Sequence, residues 1–264
     1  MKIACQEQLL PGSTLTEKWD AALSFGFDAI ELRGQGNHRL RERLPELRSA
    51  RRSGVQMPTV CVEMDHFIGD FDADRRRDAV ANMATQLSVI AEIGGIGAIT
   101  PASYGMFSRR LPPFTPPRSA EDDREVLLTG LTELGRHAAG AGVSLFLEPL
   151  NRYEDHMVNT LHDAAKLAAA TRQQSVQVAA DTYHMNIEEA DLDRSVHEYA
   201  ARIGLVQVSD SNRFEPGAGH LDWPSLLRSL SSAGYEGYLS FECRLSGPPE
   251  SVLPPAVKLL RDVA

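Results

Sequence analysis

The sequence predicts a single (β/α)₈ barrel over residues 1–264, on three observations. Eight short apolar, β-type runs are each followed by a longer segment of helical period, the order a closed parallel barrel requires. A chain of 264 residues with 42% hydrophobic content can bury the core of one such barrel, although length alone equally allows two smaller domains. The rival doubly wound sheet usually has fewer strands and opens on a glycine-rich phosphate loop, which this sequence lacks.

Residues 2–5 read as the first strand and 14–25 as its helix, with Thr16 and Glu17 as cap and acidic partner for the helix dipole. After Gly26, residues 29–32 form the second strand and 40–52 its helix, with leucines at 44 and 47 among charges. The third strand is 57–62 and its helix 73–93; Gly94, Gly95 and Gly97 punctuate the return to the fourth strand at 98–100. Helix 121–139 leads to strand 144–147, helix 160–171 to strand 176–180, and helix 190–201 to strand 204–208. Helix 223–233 then leads through Gly234 to strand 238–241, and helix 252–263 ends the series.

One segment breaks this rhythm. Residues 101–118 replace the few residues such a turn needs. Its prolines stiffen it, its aromatics suit a cover over a ligand, and Arg109, Arg110 and Arg118 suit a carboxylate or phosphate, so a lid is one expectation. A partner-contacting loop is the other, at equal weight.

Composition narrows the partners. A formal charge of −9 disfavours nucleic acid and anionic membranes, both of which need a dense positive face, and leaves a small-molecule substrate. Cys5, Cys61 and Cys243 form no CxxC pair, so neither a disulfide framework nor a zinc knuckle is expected. With no long apolar leader region and no apolar run of membrane-spanning length, the expected location is the cytoplasm. Exposed barrel helices and the long loop make a homodimer or homotetramer the expected assembly.

Four strand-like runs end on polar residues: Leu145-Phe146-Leu147-Glu148, Val178-Ala179-Ala180-Asp181, Leu205-Val206-Gln207 and Leu239-Ser240-Phe241-Glu242. In a parallel barrel these tips share one mouth. Three carboxylates and an amide make a hard-oxygen site suited to Mn²⁺, Mg²⁺ or Co²⁺ rather than to a structural zinc.

Leu147-Glu148-Pro149-Leu150-Asn151-Arg152-Tyr153-Glu154, Asp181-Thr182-Tyr183-His184-Met185-Asn186, Gln207-Val208-Ser209-Asp210-Ser211-Asn212-Arg213 and Phe241-Glu242 resemble the xylose isomerase-like TIM barrels, especially the metal-dependent ketose 3-epimerases. The resemblance spans all eight units and is strongest in the C-terminal half. It implies one divalent ion, Mn²⁺ first, held by Glu148, Asp181, Gln207 and Glu242. The family's third ligand is His; hydroxypyruvate isomerases of the same superfamily have Gln there. It further implies Glu148 and Glu242 as the proton-transfer pair, and Glu154, His184 and Arg213 as substrate contacts. The activity implied first is ketose 3-epimerisation through an enediolate. The alternatives are a hydroxypyruvate isomerase-like enzyme, or a lyase or dehydratase on an oxidised sugar or 3-dehydroshikimate.

Taken singly, Glu154 reads as a solvated loop charge, His184 as a capping or satisfied buried histidine and Arg213 as a surface ion-pair partner. Their joint position behind three consecutive strand tips favours a site. A non-catalytic barrel is expected to lose one of the two glutamates, and both are present. A three-metal DNA-repair site would need more histidines and a basic groove. Of the remaining polar residues, Glu31 reads as a structural partner for Arg33 in preference to a group facing the pocket. Glu63, Asp65 and His66 read as a polar loop in preference to a second metal set. Residues 216–223, with His220 and Trp223, read as a tight turn ending on Asp222 as an N-cap, and Cys5, Gln6 and Gln8 as contributors to a sugar pocket.

Overall fold

Eight parallel strands pair in sequence order and close on themselves, the last against the first. They are β1 (Lys2–Gln6), β2 (Ala29–Gln35), β3 (Thr59–Glu63), β4 (Gly97–Pro101), β5 (Ser144–Glu148), β6 (Val176–Asp181), β7 (Ile203–Val208) and β8 (Tyr238–Phe241). The computed structural model describes residues 1–36, 38–107 and 115–262. The connections carry α1 (Leu15–Phe25), α2 (Arg39–Glu42), α3 (Leu44–Arg52), α4 (Ala73–Glu92), α5 (Ala120–Ala141) and α6 (Leu161–Ala170). After β6 come α7 (Thr182–Glu188) and α8 (Leu192–Tyr199), and then α9 (Trp223–Ser232) and α10 (Pro249–Arg261). Helices cover the outer face of the sheet and side chains fill its inside, which is why β5 to β7 read as nearly continuous apolar runs.

Packing inside the barrel depends on one ring. Phe146 of β5 fills the interior with Ile99, Ala179 and Leu205. Room for it comes from glycine on two other strands: a Cβ on Gly97 would lie 2.5 Å from the ring, and one on Gly204 would overlap both the ring and the Gln177 side chain. Val178 pairs with Ile203 but Ala179 pairs with Leu205, so Gly204 is the extra residue of a bulge that turns its Cα toward the ring.

Several local expectations change. The cap of α1 is Thr14, not Thr16: its hydroxyl accepts from Glu17 N at 3.2 Å while Glu17 Oε2 accepts from Thr14 N at 3.1 Å. The chain is still extended at Thr14 and already helical at Thr16, and only the extended residue can turn its side chain back onto the free N–H groups. The helix expected over 40–52 is two helices, because Pro45 opens α3 and restricts the residue before it. The helix expected over 190–201 becomes α8 and a 3₁₀ turn at Ala200–Arg202, preceded by α7, which the sequence reading did not foresee. Of the long segment 101–118, residues 108–114 lie outside the described residues, Arg109 and Arg110 with them. Arg118 is not free for a ligand. It pairs with Asp123 at 2.5 Å and donates to the carbonyls of Asp70 and Gly69. Among the described residues no helix is long and apolar enough to cross a membrane.

Gly204→Ala tests the packing account. Forcing a methyl against Phe146 should cost about 1–3 kcal/mol, the usual range for overpacking, seen as a lower urea midpoint at unchanged slope. An unchanged midpoint would contradict it.

Candidate metal centre and catalytic pocket

A cavity of about 610 Å³ lies at the C-terminal ends of the strands, lined by residues that include Glu148, Glu154, His184, Arg213 and Glu242. Glu148 ends β5, Asp181 ends β6, Gln207 lies in β7 and Glu242 follows β8. Asp181 pairs in register with Gln207, and Gln207 with Ser240, so alternate inward positions bring these tips to one level. Asp181 and Gln207 are buried, and Glu148 is 5% exposed.

This crowding sets the charges. Burial, then the Glu242 and Asp181 carboxylates, push the Glu148 carboxyl well above the usual carboxylate range. Burial likewise pushes Glu242 up to about 7, with Arg213 opposing and Asp181 and Glu31 assisting. Asp181 goes the other way. Burial alone would raise it, but Arg213 and the N–H groups of His184 and Tyr183 outweigh that and hold it below the usual value. Arg213 Nη1 reaches Asp181 Oδ2 at 2.8 Å, and Nη2 lies 3.6 Å from Glu242 Oε2.

Two oxygens accept no hydrogen bond from the described residues. Gln207 Oε1 and Glu242 Oε2 are buried without a hydrogen-bond partner, a costly arrangement that a cation between them would relieve. The Gln207 amide is oriented from below: its Nε2 donates to Glu31 Oε1 at 3.3 Å, so its oxygen is the end left free. Glu31 also accepts from Gln6 Nε2 at 3.0 Å and Thr59 Oγ1 at 2.7 Å. The sequence reading gave Glu31 to Arg33; instead Glu31 is fully buried and Arg33 pairs with Glu63. The donor set of Glu148, Asp181, Gln207 and Glu242 therefore fits a divalent cation.

A different triad, Glu148, Asp181 and His184, also brings ligand-type atoms within 4.8 Å of one another. Protonation argues against His184 as a ligand. Its Nδ1 accepts from the backbone N–H of Asn151 at 3.0 Å and from Asn151 Nδ2 at 2.8 Å, and burial keeps the ring's pKa below its ordinary value. A neutral ring whose Nδ1 accepts carries its proton on Nε2, which lies 3.6 Å from Glu148 and 3.9 Å from Glu154. It is a donor aimed at the pocket.

Arg213 adopts a left-handed backbone, φ 64°, at the tip of the loop after β7. Asp210 holds that loop: its carboxylate accepts from the N–H groups of Ser211, Gly217 and Leu221 and from Trp223 Nε1. Gly219 packs so closely on Asp210 that a Cβ there would overlap the carboxylate. The guanidinium also lies over the Tyr183 ring, 4.8 Å from its centroid. Glu154 sits on a loop whose Arg152 is clamped by Glu188 at 2.9 Å.

Glu63, Asp65 and His66, read from the sequence as a polar loop in preference to a second metal set, have partners of their own. Glu63 pairs with Arg33, and His66 contacts Asp78 at 2.8 Å. Asp222 does cap α9, accepting from Ser225 N at 3.0 Å, while His220 contacts Ser211. Gln6 lines the cavity, Gln8 donates to it at 2.5 Å, and Cys5 is buried in the core. The sequence reading missed Asn151, Asp210 and the true place of Glu31. It also missed Cys61, whose thiol, kept protonated by burial and the Glu242 charge, lies 3.7 Å from Glu242 Oε1. Inward alternation along β2 would have marked Glu31.

Residues 19–263 match the family described as xylose isomerase-like TIM barrel. The chain is similar to 3-dehydro-D-guloside 4-epimerase of Escherichia coli (strain K12), 38% identical over 246 residues covering 93% of each. The crystal structure of apo 3-keto-D-glucoside 4-epimerase from E. coli matches with a TM-score of 0.93 at 36% identity over 99% of each chain. L-ribulose 3-epimerase of Mesorhizobium japonicum is 36% identical over 112 residues, 42% of this chain and 38% of that one.

The raised Glu242 pKa predicts a pH signature in chelator-treated protein. A neutral Glu242 contributes stability that is fully present below its unfolded pKa and is lost as pH rises through about 7. Glu242→Gln, neutral at every pH, should gain in melting temperature relative to the parent between pH 5 and 8. A difference independent of pH would contradict the crowding.

Proposed function

The chain belongs to the xylose isomerase-like TIM barrel family and is an isomerase, and on that premise we propose that it inverts a hydroxyl-bearing carbon beside a ketone, C4 of a 3-oxo glycoside. The observation that carries this reading is the pair Glu148 and Glu242. They come from strands separated around the ring by β6 and β7, and both bind protons more tightly than ordinary carboxyl groups beside the Arg213 guanidinium. Similarity along nearly the whole chain to a 4-epimerase supports C4. Partial similarity to an L-ribulose 3-epimerase supports the second reading, C3 of a free ketose, where the chemistry at the reacting carbon is the same.

A divalent ion, Mn²⁺ first, held by Glu148, Asp181, Gln207 and Glu242 would polarise the ketone and stabilise charge on its oxygen. One glutamate takes the C4 proton, and the C–H electrons pass into the carbonyl to give an enediolate. The other returns a proton to the opposite face, so no atom is lost and one centre is inverted. Raised proton affinity suits both roles, since one carboxyl group must be ionised while its counterpart is protonated. Arg213 faces the developing oxyanion, while His184 Nε2–H and Glu154 hold substrate hydroxyls. Buried Asn151 keeps that histidine proton on the pocket side.

NMR in D₂O tests the assignment. Methyl 3-oxo-glucoside should gain one deuterium, at C4, with inversion and no group loss; exchange only at C3 of a free ketose would favour the second reading, and loss of water a lyase. Glu148→Gln and Glu242→Gln should each lower kcat by about 10²–10⁴-fold, the usual contribution of general acid–base catalysis. A variant keeping more than a tenth of the activity excludes that residue from proton transfer.

A further inference from the structure

The catalytic cavity continues sideways into a second groove of about 380 Å³. Gln6, Cys61, Val62, Glu63, Tyr104 and Glu242 line both, and Gln8 and Arg33 line the groove alone. It lies over the ends of β1, β2 and β3, whereas Glu154, His184 and Arg213 follow β5, β6 and β7. A ligand held by those three residues therefore faces the groove across the lining that the two share.

The groove has a definite chemistry. Arg33 Nε and Nη2 each lie 2.6 Å from Glu63, a two-pronged pair that cancels its own charge, and Glu242 adds none that is positive. Among the described residues that line it, none offers a free positive charge to a phosphate or carboxylate. The other polar groups are the amides of Gln6 and Gln8 and the Tyr104 phenol. Tyr104, 56% exposed, is one of four exposed large hydrophobics among the described residues, and its ring is propped on Phe67 at 6.3 Å. Its neighbour Gly105 donates to Glu154 O at 2.8 Å, which ties this aromatic to the catalytic pocket. Neutral hydrogen-bonding groups beside an exposed ring face suit the hydroxyls and C–H face of a sugar.

We propose that this groove is a subsite for the group on the anomeric carbon of the substrate, and that the group is a second, uncharged sugar ring. The inference rests on the 3-oxo glycoside reading. In a six-membered sugar ring C1 stands opposite C4, so with C4 between the two glutamates and its neighbouring oxygens on the β5–β7 side, the anomeric substituent leaves toward β1–β3.

The test compares kcat/KM for methyl 3-oxo-glucoside and for a 3-oxo glucosyl-glucose disaccharide in the parent, Gln8→Ala and Tyr104→Ala. The parent should prefer the disaccharide. Each variant should lower that preference about tenfold, the loss of one good contact, through KM rather than kcat. If both glycosides are epimerised with equal kcat/KM, or the variants slow both alike, the subsite is wrong while the epimerase reading stands. If neither is epimerised while a free ketose is, the substrate reading fails and takes the subsite with it.

Discussion

Carboxyl groups packed around a single guanidinium govern this molecule. Glu31, Glu148, Asp181 and Glu242 converge at the strand ends, and Arg213 is the cation acting on the last three. Asp181 has the guanidinium at 2.8 Å and stays ionised, whereas Glu148 and Glu242 hold protons more tightly than ordinary carboxylates. Charge deprived of water must be neutralised by a proton, an ion pair or a metal. The cluster uses the first two, and two buried oxygens that accept no hydrogen bond from the described residues mark where the proposed third would sit. The same imbalance underlies the proposed acid–base pair.

Each group facing the pocket is oriented by one that does not react. Asn151 fixes the proton of His184, Glu31 fixes the amide of Gln207, and Asp210 fixes the loop that presents Arg213. The first two join residues distant in sequence and the third closes a local loop, and each settles a single choice: tautomer, amide flip or loop path. Below them Phe146, with room left by Gly97 and Gly204, gives the strand ends a firm base.

Much of this was legible in the chain. Parallel strands buried on both faces read as apolar runs, so all eight were visible, and a polar residue ending four of them marked the mouth. What was illegible depended on closure of the barrel or on fine local geometry. Alternation along β2 marks Glu31 as inward-facing, but its meeting with Gln207 across the inside of the barrel is invisible in a sequence, so its neighbour Arg33 was the wrong partner. The cap of α1 turned on which threonine stays extended, and α7 was hidden because it starts directly on the last residue of β6, with Asp181 as its cap. Arg118 read as a ligand arginine because its backbone partners, the Asp70 and Gly69 carbonyls, are invisible in a sequence.

Anomalous diffraction at the manganese edge from Mn²⁺-soaked crystals tests the central claim most directly, since two overlapping ligand sets compete for the same carboxylates. The account predicts one peak bounded by Glu148, Asp181, Gln207 Oε1 and Glu242, with His184 outside the coordination sphere and still accepting from Asn151 through Nδ1. A peak bound by Nε2 of His184, with Gln207 turned away and Glu31 no longer its partner, would contradict it.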